Sequence, residues 1–430
     1  MSAPTLQAPH LSGDPASEPV PLWRNLQFQT LWIGSAASSL GVSVADVAFP
    51  LVILALTGSP ARAGLFAAVL TIGVVAGSLP GGQLADRHDR RTVVVVAEGG
   101  RAIVTAVVAA GLILGWLSLP LLLAAAAVLG VGHAVSSAAR LPLVRSVVPP
   151  GQLTRALIQD EVRQNGALLA GPPVAGVLYG IRALSQSIPF LSIAAAFAFS
   201  MLAAVAMKAM PGSAAGALAR TRAAGAPAAK GTDSGMLAGV RTLWRNPVLR
   251  AVTLLIMTAN LIGSGVDLVV IVILRGQHHA PGTIGLALGA GAAGGLAGAP
   301  LVKVLHRLQP GVLLLGMGLF WIPIFALLAL PFGPLWVASL LFLAMLGLPA
   351  LRVLIDVLIF RQAPDEQRGR VVAGVMMLIS VGMPLGVAGT GLLLQWLPAQ
   401  AAMLVLAGVL AAGVLYCASK RELWRATWPR

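Results

Sequence analysis

The sequence predicts an all-α integral membrane protein of twelve transmembrane helices in two six-helix pseudo-symmetric bundles. Three observations carry that prediction. Hydrophobic residues make up 57% of the 430 and charged residues only 10%, and mean hydropathy is +0.88, whereas a soluble domain carries about 25% charged residues. Apolar runs near the ~20 residues that cross a hydrocarbon core recur along the whole chain. The pattern also repeats: LWRN at 22–25 returns as LWRN at 243–246, and an acid follows the Asn by the same interval, Asp46 in one copy and Asp267 in the other.

Taken in order, the expected spans are 27–56, 61–82, 92–115, 120–146, 164–182, 189–208, 248–274, 282–304, 311–331, 334–358, 371–395 and 399–418. Residues 1–21 form a polar, Pro-rich tail, 22–210 the first bundle, 211–242 an Ala/Gly/Ser-rich linker, 243–419 the second bundle and 420–430 a second tail. LLAGPPVAGVL at 168–178 answers VGMPLGVAGTGLL at 381–393, so the halves are parallel repeats, an arrangement that places a transport site between them.

With the N-terminus inside, the outward loops hold Arg62, Arg182 and Arg275 and no acid, while nearly all other cations face inward. The formal net charge of +15 therefore reads as a positive-inside signal with both termini cytoplasmic, and no nucleic acid is expected as a partner. Cys417 is the only cysteine, so no intrachain disulfide exists. No Walker loop, metal-ligand spacing or nucleophile elbow occurs, so neither a cofactor, a metal nor an enzyme activity is expected.

The stretch GQLADRHDRR, Gly82 to Arg91, resembles the loop signature of the major facilitator superfamily between spans two and three. Asp89, in place of the last glycine, is similar to the branch of enterobactin and macrolide exporters, as are LALTGSPA (54–61) and PDEQRGRV (364–371). The resemblance covers Leu22 to Lys420. It implies that Asp86 latches the halves by meeting span eleven, that Gly82 permits close packing, and that Arg87, Arg90 and Arg91 hold the loop inside; a solvated anchor loop is the plainer reading. GALLAGPPVAG, Gly166 to Gly176, looks like the superfamily's antiporter motif, with Gly171, Pro172 and Gly176 closing one end of the cavity, or else a small-residue packing face.

Charged residues inside spans are costly and need a partner, a wet cavity or a proton. Asp46 lies about 22 Å from the cytoplasmic face and precedes Pro50; it is either a protonatable cavity group or a buried acid bonded to Ser43. Exporters of this branch often place that acid directly after a glycine, where Val42 stands here. Asp267 is a second cavity acid or the partner of Arg275. Glu98 and Arg101, three apart, read as a self-satisfied pair rather than a substrate contact, and Asp356 with Arg352 likewise. His133 is a proton shuttle or a packed histidine; Asn165 and Asn260 are weaker cavity candidates. The arginine that many drug exporters carry deep in span four is missing from LLLAAAAVLGVG (121–132).

The expectation is a proton-coupled secondary transporter, a monomer in the bacterial cytoplasmic membrane, that exports an amphiphilic small molecule. Its partners are that substrate, protons and the lipid bilayer. A lipid or lysolipid flippase on the same fold is the alternative, and a membrane-embedded enzyme the more distant one.

Overall fold

The computed structural model describes residues 21–180, 186–207, 247–305, 307–352 and 368–420. The tail before residue 21, the linker 211–242, Arg182 and Asp356 lie outside the described residues.

Among the described residues, twelve long helices follow one another: α1 (Leu26–Thr57), α2 (Pro60–Arg87), α3 (Arg90–Leu114), α4 (Leu119–Val147), α5 (Leu153–Gly180), α6 (Ile188–Ala206), α7 (Pro247–Gly276), α8 (Pro281–Gly298), α9 (Pro310–Leu328), α10 (Pro334–Leu346), α11 (Arg368–Trp396) and α12 (Ala399–Ala418). Their ends follow local chemistry. Proline opens α2, α7, α8, α9 and α10, at a position whose N–H has no partner within the helix. The Asn25 and Asp89 side chains accept from Phe28 N (3.1 Å) and Thr92 N (3.3 Å) to cap α1 and α3. Gly58 (φ 63°) and Gly115 (φ 74°) close α1 and α3 in the left-handed region that glycine enters without strain.

Eleven of the described helical stretches are long and apolar enough to cross a membrane. The remaining one, α5, starts at Leu153 rather than at the expected 164, and its first three turns carry Arg155, Asp160, Glu161 and Arg163. Those charges dilute its hydropathy and give it a polar half. In the tenth span, α10 ends at Leu346 and a further helical turn reaches Arg352; the rest of the expected 334–358 lies outside the described residues.

The duplication is visible in the packing. Within the first half α1 packs on α5 and α6, α2 on α4, and α3 on α4 and α6; within the second, α7 packs on α11 and α12, α8 on α10, and α9 on α10 and α12. Each pair in one half has its counterpart six helices later. The halves meet mainly through two further pairs, α5 with α8 and α2 with α11, which exchange places under the same six-helix shift.

Two ends can be distinguished. One carries Arg24, Arg87, Arg90, Arg91 and Arg145 and is here termed the basic end. There Asn25 Nδ2 donates to the Val147 carbonyl (2.8 Å), Arg90 to the Pro142 carbonyl (3.4 Å), and Arg91 to the carbonyls of Ala204 (2.9 Å) and Val205. Asn25 thereby satisfies the last carbonyl of α4 and Arg91 those at the end of α6, where a helix dipole favours positive charge. The opposite, far end holds the loops at Gly58, Gly115 and Gly333.

Candidate functional site

The halves are fastened near the far end by backbone contact. A Cβ built at Gly64 on α2 would lie 2.7 Å from the Val387 carbonyl oxygen and 2.8 Å from Gly391 Cα on α11. On the symmetry-related pair, Gly176 of α5 meets the Pro281 carbonyl and Gly282, and Gly285 of α8 meets the Pro172 carbonyl. Small residues let helices approach to this distance. Ser59 Oγ donates to Gln395 Oε1 (2.9 Å), and Arg275 Nη1 donates to the Leu51 carbonyl (3.3 Å), both between the halves.

Asp46 and Asp267 occupy equivalent places, each the twenty-first residue of its helix α1 or α7. Each side chain is exposed although its neighbours Ala45, Val47, Val266 and Leu268 are buried. Asp46 is within electrostatic range of Asp267 and of Arg101. Both carboxyl groups therefore stand outside the side-chain packing that covers their neighbours. Among the described residues no hydrogen bond joins Asp46 to Ser43 and no ion pair joins Asp267 to Arg275. Ser43 instead packs against Gly171. Asn260 stands seven residues before Asp267, as Ser39 does before Asp46, and is half-buried.

Beside Asp46, toward the basic end, four helices of the first half converge around Glu98 and Arg101. Glu98 Oε1 accepts from Arg101 Nη1 (3.2 Å), Arg140 Nη2 (2.6 Å), Ser136 Oγ (2.6 Å) and Ser38 Oγ (3.1 Å). Glu98 is 0% exposed and Arg101 3%; the Arg101 guanidinium lies 3.8 Å from the Phe197 ring centroid, an arrangement favourable for a desolvated cation. The pair expected on α3 is present, but it is part of a triad. Arg140 of α4 supplies the additional charge, so the three groups sum to one positive charge when Glu98 is ionised. His133 is half-buried and lies in the field of Arg101, Arg140 and Glu98.

The other candidates are distributed differently. Gly171, Pro172 and Gly176 line the contacts of α5 with α1 and α8, whereas a Cβ at Gly166 would meet nothing described within 4 Å. Asn165 bonds its own helix, donating to the Glu161 carbonyl (2.9 Å) and Oε1 (3.1 Å). Close packing at the loop motif falls to Gly81, where a Cβ would lie 3.0 Å from Val135 Cα, while one at Gly82 would meet nothing described within 4 Å. Asp86 and Arg87 are exposed at the end of α2. Asp89 caps α3, accepting from Thr92 N and from Thr92 Oγ1 (3.1 Å), which accounts for an acid where the signature has glycine.

Two groups escape a reading of the sequence. Arg140 looks like one more end-of-helix cation; depth would have placed it. It lies seven residues from the end of α4 and Glu98 eight from the start of α3, so both stand roughly 11–12 Å in from the same end. Arg163 equally resembles a cytoplasmic anchor, yet it is buried and ties α5 to α1 through Ser35 and Ser39.

A family model for the Major Facilitator Superfamily matches residues 31–348. The chain is 28% identical over 393 residues to the Multidrug efflux pump Tap of Mycobacterium tuberculosis (strain ATCC 25618 / H37Rv), covering 86% of this chain and 87% of that protein; the Mycobacterium bovis protein of the same name matches equally. Among solved structures, nucleoside transporter NupG superposes with a TM-score of 0.73 at 13% identity, over 93% of this chain and 100% of that one. A bacterial homologue of the iron transporter ferroportin, in its inward-facing state, gives 0.64 at 18% identity over 92% and 97%. With the six-plus-six duplication, the fastened helix pairs and these matches together, the chain belongs to the Major Facilitator Superfamily and is a multi-pass membrane transporter, not an enzyme.

Proposed function

We propose that this transporter works as a proton-coupled exporter of an amphiphilic small molecule, a drug or natural product, from the cytoplasm. The observation that carries the reading is the symmetric pair Asp46 and Asp267: two carboxyl groups, deep in equivalent helices, exposed among buried neighbours. An acid at membrane depth is expensive unless it is wet, paired or protonated, and these two have exposed side chains and no hydrogen-bonded partner among the described residues. An inward proton moving down 100 mV releases about 2.3 kcal/mol, so one or two such groups suffice to drive export.

The orientation follows from charge. Arginines crowd the basic end, whereas the described far end bears Arg62 and Arg275, so the positive-inside rule makes the basic end cytoplasmic, in a bacterial cytoplasmic membrane. On this reading, closed far-end fasteners leave the cytoplasmic side as the entrance for an exported substrate. The spans supply Leu, Val, Met and Phe with few polar groups, a composition that suits greasy molecules better than sugars. The efflux-pump relatives at 28% identity point the same way. The protein is taken to act as a monomer.

Proteoliposomes with an imposed pH gradient test the coupling. Asp46→Asn is expected to abolish uphill efflux of a fluorescent amphiphile while downhill exchange survives, since the amide mimics the protonated acid. Unchanged uphill transport would remove Asp46 from the role and transfer it to Asp267.

A further inference from the structure

The proton-coupling reading makes no use of Arg163. This side chain is 4% exposed and its guanidinium is engaged on two sides. Nε and Nη2 donate to Asp160 Oδ1 on the preceding turn of α5 (2.9 and 2.7 Å). Nη1 donates to the Ser35 carbonyl of α1 (2.8 Å) and to Ser39 Oγ. The planar fork thus binds an anion on its own helix and two acceptors on another, which an ammonium cannot reproduce.

The register of those acceptors is informative. Ser35, Ser39, Ser43 and Asp46 follow at intervals of four, four and three, one stripe along α1. Helix α5 is fitted to that stripe twice, by Arg163 at Ser35 and Ser39 and by Gly171 at Ser43. The nearer of these two points, Ser43, lies one turn short of Asp46. Immediately beyond Gly171 the same helix turns its other residues to the opposite half: the Pro172 carbonyl to Gly285, Pro173 to Gly289, and Gly176 to Pro281 and Gly282. One continuous helix therefore grips the acid-bearing helix with the stretch before Pro172 and closes the far end with the stretch after it.

The second half is built differently. Matching Gly176, which meets the Pro281 carbonyl, with Gly391, which meets the Pro60 carbonyl, puts Leu378 opposite Arg163, and α11 meets α7 through Gly382 at the Met257 carbonyl and Gly386 at the Leu261 carbonyl. The arginine clasp has no counterpart at that position of the second repeat.

We propose that Arg163, with Asp160, is a positioning residue of the transport cycle: it fixes the register of α5 on α1, so that the Asp46 helix and the α5–α8 fastener move as one body. The proposal concerns movement, not coupling, and its test does not depend on which acid carries the proton.

The test is solvent access at the fastener. Gly282→Cys is suited to it, because a Cβ there meets only Gly176 backbone at 3.9 Å; the native Cys417 is 1% exposed and serves as an unlabelled internal control. The full chain, purified in detergent, is treated with a maleimide in the Gly282→Cys background. Arg163→Lys keeps the charge and loses the fork; the double variant Asp160→Leu/Arg163→Leu leaves neither partner of the buried pair alone and guards against misfolding. Both are expected to raise the labelling rate of the introduced thiol about tenfold, equivalent to ~1.4 kcal/mol, with the double variant's melting temperature close to native. Native labelling rates in a folded double variant, or full rescue by lysine, would overturn the proposal. Loss of uphill transport in Asp46→Asn with unaltered labelling at position 282 in the clasp variants would leave the coupling intact and discard the clasp.

Discussion

Removing the Glu98 carboxylate strands two arginines in a space made for three charges. Glu98 accepts from Arg101, Arg140, Ser136 and Ser38, and Arg101 is 3% exposed beneath Phe197 and against Gly132. In Glu98→Ala the guanidinium of Arg101 is left with Ser38 Oγ as its side-chain acceptor. Breaking a buried ion pair from one side costs about 3–5 kcal/mol. The lower figure applies here, because a chain unfolded within the bilayer still finds polar partners. For a bundle of this size ~1 kcal/mol moves the melting temperature by about 2–4 °C, so Glu98→Ala should melt roughly 6–12 °C below native. Glu98→Gln, which preserves an acceptor and the volume, should lose about half as much. The assay is thermal unfolding of purified protein followed by tryptophan fluorescence. A Glu98→Ala variant melting within about 2 °C of native, a shift of about 0.5–1 kcal/mol, would refute the triad as a structural unit and turn attention to Glu98 as a group that acts only during transport.

Asp86→Asn should leave the protein in the membrane yet slow transport about tenfold or more, a loss of ~1.4 kcal/mol or more for the conformer in which Asp86 meets the other half; full transport in vesicles would show the exposed acid to be an ordinary solvated anchor. Reporter fusions at Ala215 and at the C-terminus should both report cytoplasm and one at Gln277 the outside; opposite signals at the first two would require an odd number of spans in the second half.

The architecture was legible because a bilayer imposes one length and one composition on every span, and a duplication prints the same pattern twice. Most helices fall within a few residues of their expected limits for that reason. The reading failed at α5, where four charges in the first three turns hide helix inside what looks like a loop. Charge marks a residue as wet only if nothing folds over it, and Arg163 is covered by α1. The same blindness hid Arg140. Its partner Glu98 lies 42 residues away, and no periodicity along one helix reports on a neighbour. The acids Asp46 and Asp267 were legible for the opposite reason. Their cost in an apolar run is so plain that the sequence alone demands an explanation for each.

The fasteners at Gly64–Gly391 and Gly176–Gly285 join backbone to backbone. A surface of that kind contributes no side-chain chemistry to whatever passes by it. At these two contacts the halves close without side chains, so a mutation that alters side chains elsewhere can leave this closure untouched. Cavity residues are free to vary as the molecules around a cell vary, while at Gly285 the closing surface tolerates no addition, since even a methyl group there would run into the Pro172 carbonyl. A protein divided in this way can change what it carries without having to relearn how to shut.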